Sequence, residues 1–365
     1  MSNSDQQAAS ILTVDLGAIV ENWKQLSTMA GIPSAAVVKA DAYGLGAGPV
    51  SAALEAAGCR DFFVAHLEEG VRLRESLGPQ SRIGVLNGTP QGSEGQFLDA
   101  ALTPVINTLG ELSAWRSQAK ALGRALPVIL QVDSGMSRLG LAPIDVEAIA
   151  ADTKLLDGLE VQLVMSHLAC ADSADHPANQ AQKEAFESLR AMLPAAPASL
   201  ANSSGVFLGG AFHFDLLRPG AALYGINPTD GAANPMRQVA TLSARVIQLR
   251  AVGPGTGIGY GHVKVADRPT SLATVSLGYA DGWPRSAATH AFFRGQRLPF
   301  AGRVSMDSII LDTSAITDRP REGDLVDLIC PQQTVDDVAR AAGTIGYEIL
   351  TRLGPRSKRR YIGAA

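Results

Sequence analysis

The sequence predicts an α/β protein with an N-terminal (β/α)8 barrel of the TIM type and a C-terminal, mainly β domain. Short runs rich in Val, Ile and Leu alternate with amphipathic stretches from residue 35 to about residue 225, the pattern of parallel strands joined by helices. Beyond that point the helical pattern gives way to strand-like runs separated by glycine and proline. The chain has 365 residues, a length suited to two domains.

Eight apolar runs are the predicted barrel strands, which is the number that a closed (β/α)8 barrel requires. They span residues 35–40, 61–66, 82–87, 102–107, 126–133, 159–167, 198–203 and 221–226. Amphipathic stretches such as LEEGVRLRESLG and ANQAQKEAFESLRAML lie between them and predict helices. An open, doubly wound sheet is the alternative, because that fold also alternates strands and helices.

The change of pattern places the barrel in residues 1–232 and the C-terminal β domain in residues 233–365. A strand-like run at 11–16 precedes the barrel and could join the β domain. Within the second domain, strand-like runs such as ATLSARVIQLRAV and DSIILDT alternate with turns. One short helix is expected at 334–343, with the Thr334 side chain as its N-cap.

Composition and charge argue against several classes of function. The formal net charge of -4 and the pI near 5.9 argue against nucleic acid as a partner. Three widely spaced cysteines without a CxxC pair, and six histidines without an HExxH pattern, predict neither a disulfide framework nor a metal site. The sequence contains no secretory signal and no apolar run of about 18 residues. We therefore expect a cytoplasmic protein that uses no metal and has no membrane partner.

Polar side chains follow most of the predicted strands at their C-terminal ends, where barrel enzymes carry their active sites. Lys39 is the most unusual, since it follows a run of small apolar and β-branched residues directly. A lysine with covalent chemistry reacts with a carbonyl group, and the alternative is a solvated lysine in a turn. The other polar residues are His66, Asn87, Asn107, Asp133, Arg138, His167, Asn202, Ser203 and Arg218.

The residues that accompany Lys39 favour the covalent role. Hydroxyl, amide and backbone N–H donors suit a phosphate, whereas His167 and Arg218 suit an aromatic ring. The predicted phosphate donors are Tyr43, Asn202, Ser203, Ser204 and the backbone at Gly220. A phosphate-bearing cofactor with one aldehyde group would use all of these residues, and pyridoxal 5'-phosphate (PLP) fits that description.

Eight motifs in order resemble those of the alanine racemases, a family with an N-terminal barrel and a C-terminal β domain. The first, AVVKADAYGLGA, is similar to the family's cofactor-lysine signature, with Asp41 and Leu45 in place of the usual Asn and His. The others are VDSGMSRLG, SHLACAD, ANSSG, LLRPGAALYG, GYG, GYADG and GRVSMD. The resemblance covers nearly the whole chain.

This resemblance implies a PLP-dependent isomerase that interconverts L-alanine and D-alanine by a two-base mechanism. Lys39 would bind the cofactor and then act as one base, and Tyr260 would act as the other on the opposite face of the substrate. The implied cofactor-binding residues are Lys39, Tyr43, His167, Asn202, Ser203, Arg218, Gly220 and Ala221. The implied substrate-binding residues are Arg138, Tyr279 and Met306.

The same resemblance implies a homodimer with active sites shared between subunits, because Tyr260 belongs to the β domain and Lys39 to the barrel. The resemblance further implies that the enzyme produces D-alanine for the synthesis of peptidoglycan. A serine racemase or a broad-specificity racemase stays open. Two further alternatives are a PLP-dependent decarboxylase, against which Arg218 argues, and a PLP carrier without activity, which would not need the second domain.

Two positions depart from the family pattern. Gln131 stands where the family commonly has a lysine, often carbamylated, so a neutral amide or a bound anion such as chloride is left to orient Arg138. Pro355 stands where some members place a phosphate-binding tyrosine, so one phosphate contact is expected to be missing.

Overall fold

The computed structural model describes residues 7–229 and 231–363. Strand β1 (Ser10–Asp15) precedes a sheet of seven parallel strands, β2 to β8, that pair side by side in chain order. These are β2 (Ala36–Val37), β3 (Asp61–Val64), β4 (Arg82–Val85), β5 (Thr103–Ile106), β6 (Leu126–Gln131), β7 (Leu159–Met165) and β8 (Ala198–Ser199).

Residues 215–219 close the seven-stranded sheet into a barrel. On one side of this segment, the backbone N–H of Ala35 donates to the carbonyl oxygen of Leu217 at 2.8 Å. On the other side, the N–H of Arg218 donates to the carbonyl oxygen of Ala201 at 2.9 Å. The segment therefore occupies the eighth strand position between β8 and β2, and the predicted barrel is confirmed.

The prediction of the last barrel strand at 221–226 was wrong. Ala221–Tyr224 forms a 3₁₀ turn that ends at Gly225, whose φ of 76° is in the left-handed region. All four residues of the turn are buried. A short buried apolar run has no periodicity that separates a strand from a helical turn, and this run was therefore read as a strand.

Helices pack on the outside of the barrel strands through one apolar face each. They are α1 (Leu16–Ala30), α2 (Ala47–Ala56), α3 (Leu67–Arg74), α4 (Glu94–Asp99), α5 (Leu109–Leu122), α6 (Pro143–Ala151) and α7 (Pro177–Ala191). In α5 the buried residues are Leu112, Trp115 and Ala119, which are spaced by one helical turn. Thr108 caps the start of α5. Among the described residues, none of the helices is both long and apolar enough to cross a membrane.

The C-terminal part is built around strand β9 (Ala240–Val252), which pairs with β1, β12 and β16. The remaining strands are β10 (Gly257–Ile258), β11 (Lys264–Val265), β12 (Thr270–Val275), β13 (His290–Phe293), β14 (Gln296–Pro299), β15 (Ile309–Asp312), β16 (Leu325–Ile329) and β17 (Lys358–Ile362). Strand β1 pairs antiparallel with β9 and parallel with β17. The boundary between residues 232 and 233 stays a prediction.

Two helices follow the last central strand: α8 (Val335–Ala342) and α9 (Gly346–Arg352). The Thr334 hydroxyl accepts the backbone N–H of Asp337 at 3.2 Å, so the predicted N-cap of α8 is confirmed. Helix α9 contacts the chain that follows β2, and it brings C-terminal residues to the open end of the barrel.

Candidate active site

The C-terminal ends of the barrel strands surround a cavity of about 780 Å³, the position at which barrel enzymes bind their ligands. Most of the predicted site residues line it. They are Lys39, Tyr43, Arg138, His167, Asn202, Ser203, Arg218, Gly220 and Ala221. Strand ends that are far apart in the sequence thus converge on one space.

Lys39 is presented to the cavity by a turn of unusual handedness. The four residues that follow it, 40–43, have φ between 52° and 56° and form a left-handed turn, which is costly for residues with a Cβ. Burial and the nearby Arg138 lower the pKa of the Lys39 amine, whereas Glu69 raises it. A larger fraction of the amine is therefore neutral and nucleophilic than for a solvated lysine.

The two unusual residues of the lysine motif have structural roles. The Asp41 carboxylate accepts the backbone N–H of Ala47 at 2.7 Å and so begins helix α2. The Leu45 side chain is fully buried. Neither residue is among the described residues that line the cavity, so these departures leave the lysine and tyrosine of the motif in place.

Hydrogen-bond donors suited to a phosphate lie together on one wall of the cavity. The Ser203 hydroxyl oxygen accepts the N–H groups of Gly220 at 3.0 Å and Ala222 at 3.1 Å, so its own hydrogen is free to be donated. The Tyr43 hydroxyl has no hydrogen-bond partner within the described chain, and burial raises its pKa. It therefore stays protonated at neutral pH and can donate.

Arg218 is buried at the base of the cavity, where neutral groups hold its guanidinium. Nη1 donates to the Ser199 hydroxyl and Nη2 to the carbonyl oxygen of Ser166. Burial lowers the pKa of Arg218 to about 10, so the side chain is still a cation at neutral pH. Its remaining N–H groups are available to a ligand in the cavity.

His167 lies in the same cavity with Asn202 beside it. The Asn202 Nδ2 atom is 3.5 Å from His167 Nε2, and Asn202 Oδ1 accepts the N–H of Gly205 at 2.9 Å. Burial, and then the nearby Arg218, Arg138 and Lys39, lower the pKa of His167 to about 3. The imidazole is therefore neutral at physiological pH, which suits packing against an aromatic ring.

The remaining three predicted residues are not among those that line the cavity. Tyr260, Met306 and Tyr279 belong to the C-terminal domain, and their exposed fractions are 66%, 52% and 39%. Met306 accepts the N–H of Ala280 through its carbonyl oxygen at 3.0 Å, next to Tyr279 in the chain. The structure does not bring these residues to the Lys39 of the same chain.

Sequence analysis missed Tyr347 of helix α9, which lines the cavity. Its ring centroid is 6.0 Å from that of Tyr43, and burial raises the pKa of its hydroxyl. The cavity therefore has a second tyrosine near the phosphate donors, although Pro355 follows eight residues later. Nothing in the sequence around Tyr347 marks it, because its neighbours form an ordinary short helix.

Comparison with known proteins gives the family. The family model for the alanine racemase N-terminal domain matches residues 14–228, and the model for the C-terminal domain matches residues 239–361. This chain belongs to the alanine racemase family. The predicted resemblance and the predicted enzyme class, a racemase, are thereby confirmed.

Relatives of this family match over nearly the full length of the chain. A protein of Mesorhizobium japonicum described as a catabolic alanine racemase is 59% identical over 362 residues, which are 99% of this chain and 95% of the relative. The alanine racemase of Bartonella henselae, whose crystal structure contains covalently bound PLP, has a TM-score of 0.93 and 41% identity, and the match covers 97% of this chain and 100% of that one. A biosynthetic alanine racemase of Pseudomonas aeruginosa has a TM-score of 0.89 and 39% identity over 98% of this chain and 100% of that one.

Proposed function

We propose that this chain binds PLP on Lys39 and interconverts L-alanine and D-alanine. The observation that carries the proposal is that one cavity holds both a lysine of lowered pKa and a wall of phosphate donors. A reactive amine and a phosphate site are the two features by which a protein holds a phosphorylated aldehyde. The names of the relatives and the covalently bound PLP of the Bartonella henselae protein support this assignment.

The described residues fit PLP at each end of the molecule. At the phosphate end, Tyr43, Ser203 and the backbone N–H of Ala221 are donors, and the absence of a Cβ on Gly220 lets the Tyr43 hydroxyl approach this wall. Tyr347 lies near the same wall, so we propose that it supplies the phosphate contact expected to be missing at Pro355. At the ring end, Arg218 offers a donor to the pyridine nitrogen.

His167 and Asn202 complete the proposed cofactor site. The neutral imidazole of His167 can lie against the ring, and the Asn202 amide beside it fixes its orientation. Arg218 keeps its own proton at neutral pH, so it leaves the ring nitrogen unprotonated. An unprotonated ring is a weaker electron acceptor, which favours proton exchange over decarboxylation.

Racemisation requires a base on each face of the α-carbon. When bound, PLP withdraws electrons from the Cα–H bond of the substrate and acidifies it. The Lys39 amine, whose lowered pKa favours the neutral form, takes or returns the proton on one face. Arg138 binds the substrate carboxylate. We propose that the Tyr260 phenol exchanges the proton on the opposite face.

Tyr260 can act at this cavity only if it comes from a second copy of the chain. It is 66% exposed and does not line the cavity of its own subunit. We therefore propose a homodimer in which the Tyr260, Tyr279 and Met306 side chains of each chain complete the other's site. The exposure of these three apolar or aromatic side chains supports that arrangement.

The physiological direction is a separate proposal. Enantiomers have equal free energies in water, so a racemase has an equilibrium constant of one, and supply and demand set the direction. We propose that the enzyme supplies D-alanine for peptidoglycan, although the Mesorhizobium japonicum relative is named catabolic. Growth of a deletion strain with and without D-alanine tests this. We also propose that it acts in the cytoplasm, since Cys59, Cys170 and Cys330 are free thiols.

Chemical fixation of the cofactor tests the central proposal. Borohydride reduction of the PLP-loaded protein should attach pyridoxal to the peptide that contains Lys39, as read by mass spectrometry. Lys39→Ala should abolish both the attachment and racemisation of L-alanine, because the anchor and one base are lost together. Attachment at another lysine would refute the assignment. Measuring D-isomer formation from L-alanine and from L-serine in parallel determines the substrate range.

A further inference from the structure

We propose that Glu69 is a positioning residue for Lys39, because its carboxylate holds the left-handed turn that presents this lysine to the cavity. This inference rests on the proposed function, because it assumes that Lys39 is the reactive amine. It goes further by assigning a role to a residue outside the cavity: Glu69 belongs to helix α3, which follows the neighbouring strand β3.

The Glu69 carboxylate connects the ends of two neighbouring barrel strands. Its Oε1 atom accepts the backbone N–H of Ala40, the first residue of the left-handed turn, at 2.7 Å. Its Oε2 atom accepts the N–H groups of Ala65 at 2.7 Å and His66 at 3.1 Å. Both oxygens are therefore engaged, and the turn after β2 is held to the end of β3.

A second glutamate of the barrel makes the same three hydrogen bonds at another place. Glu111 Oε1 accepts the N–H of Thr89 at 2.9 Å, and Oε2 accepts those of Asn107 at 2.7 Å and Thr108 at 3.1 Å. Both glutamates are the third residue of their helices, α3 and α5. The segment that Glu111 holds does not carry a proposed catalytic residue, so Glu111 provides an internal control for the purely structural part of the interaction.

The turn held by Glu69 needs support from outside. Four consecutive residues with a Cβ, 40–43, have positive φ, and such a conformation persists only where surrounding groups fix it. The backbone hydrogen bonds around the turn, such as those from Ala42 N–H to the carbonyl oxygen of Val38 at 2.9 Å and from Gly44 N–H to that of Ala40 at 2.8 Å, do not use the Ala40 N–H. The Ala40 N–H would lose its partner without Glu69.

Charge adds a second effect of Glu69 on Lys39. Burial and Arg138 lower the pKa of the Lys39 amine, and Glu69 is the group that opposes them. The other ionisable groups around the cavity come from the turn itself, from the ends of β7 and of the closing segment, and from helix α9. They are Tyr43, His167, Arg218 and Tyr347. A neutral residue at 69 would leave the lowering effects unopposed.

Glu69→Gln and Glu111→Gln form a matched pair of variants for the test. A glutamine has one acceptor oxygen and one NH2 group, so it cannot accept the N–H groups that face both oxygens of the glutamate. Each variant loses comparable backbone hydrogen bonds, and a similar decrease in thermal stability is expected for both. Any effect found only in Glu69→Gln is then specific to the turn that carries Lys39.

Two measurements on the full chain without PLP separate the variants. In hydrogen–deuterium exchange, we expect the Ala40 amide to exchange at least about tenfold faster in Glu69→Gln and at the wild-type rate in Glu111→Gln. In reductive methylation across a pH series, read at Lys39 by mass spectrometry, we expect about threefold more neutral amine at a fixed pH in Glu69→Gln. Wild-type values for both measurements in Glu69→Gln would overturn the proposal.

A third variant covers the case in which Glu69→Gln does not fold. Glu69→Asp keeps the charge but is one methylene shorter, so we expect faster exchange at Ala40 with a nearly unchanged Lys39 titration. Unchanged exchange at Ala40 in this variant would also overturn the proposal. Neither measurement requires PLP. Failure of borohydride to fix pyridoxal on wild-type Lys39 would instead refute the proposed function and leave the structural role of Glu69 standing.

Discussion

The hydroxyl oxygen of Tyr43 lies so close to Gly220 that a Cβ on Gly220 would be 2.4 Å from it. No real Cβ tolerates that distance, so Gly220 is required by the approach of the tyrosine. Its φ of -124° lies outside the left-handed region that favours glycine. The close approach places the Tyr43 hydroxyl against the Gly220 backbone at the wall of the cavity that also carries Ser203.

We expect Gly220→Ala to weaken PLP binding while the protein stays folded. The added methyl group displaces the Tyr43 ring, and overpacking of this kind costs about 1–3 kcal/mol; a loss of that size in PLP binding raises the dissociation constant about 5- to 150-fold. Equilibrium titration of the cofactor-free protein with PLP measures this dissociation constant. Gly95→Ala is the control, since nothing lies within 4 Å of a Cβ at Gly95. An unchanged affinity in Gly220→Ala would contradict the proposed phosphate site.

The lowered pKa of His167 predicts a pH dependence of stability in the cofactor-free protein. Its pKa is about 3 in the folded state and about 6.5 in an unfolded chain. Below about pH 6.5 the unfolded state binds the proton first, so the free energy of unfolding decreases as the pH falls. His167 changes the free energy of unfolding by at most about 1.4 kcal/mol per pH unit. Water in the cavity makes this change smaller.

Urea unfolding at about pH 7.5 and about pH 5.5 tests this dependence. We expect His167→Gln to be less sensitive to the change of pH than the wild type. Replacement of His262, an exposed histidine that does not line the cavity, by glutamine is the matched control. An equal loss of stability in the wild type and in His167→Gln would show that other groups carry the effect.

Gln131 predicts an activity that does not depend on dissolved carbon dioxide. It is buried and lines the same cavity as Arg138, and its amide nitrogen is not nucleophilic enough to form a carbamate. Assays at constant pH, with added bicarbonate or with carbon dioxide removed, should give equal rates. Gln131→Lys should create a site that responds to bicarbonate. If the wild-type activity rose with bicarbonate, another lysine would have to carry the carbamate.

The sequence predicted those site residues that are marked by a pattern among their immediate neighbours in the chain. Lys39 could be predicted because the sequence itself shows an apolar run that ends directly in a charged residue. The closing strand at 215–219 could not, because its sequence DLLRP is short and contains proline, and its partner β2 lies at the far end of the barrel domain. The neighbouring run at 221–226 is more apolar and was read as the strand instead.

Tyr347 and Glu69 could not be predicted because their roles come from tertiary contacts alone. Each lies in a short helix, and the pattern of that helix gives no reason to expect a second role for the residue. Glu69 reads as a helix-capping residue, which it is, and nothing local reveals that its other oxygen accepts the N–H of Ala40. The handedness of turn 40–43 is equally hidden, since Ala and Tyr have no preference for positive φ.

The exposure of Tyr260 predicts complementation between inactive variants. Lys39 lines the cavity of its own chain, whereas Tyr260 is 66% exposed on the C-terminal domain. We expect Lys39→Ala to be nearly inactive, and Tyr260→Phe to be nearly inactive in at least one direction. In a mixed dimer with shared sites, one site receives both changes and the other receives neither.

Mixing the two variants under conditions of subunit exchange should therefore restore activity. Random pairing puts about half of the dimers in the mixed class, each with one intact site of two, so activity should approach about a quarter of the wild-type value. Lys39→Ala mixed with Arg138→Ala is the control. Both residues line the same cavity, so mixed dimers contain no intact site and activity should not exceed the mean of the parents. If mixed dimers of Lys39→Ala and Tyr260→Phe form without recovered activity, then Tyr260 does not serve the partner's site.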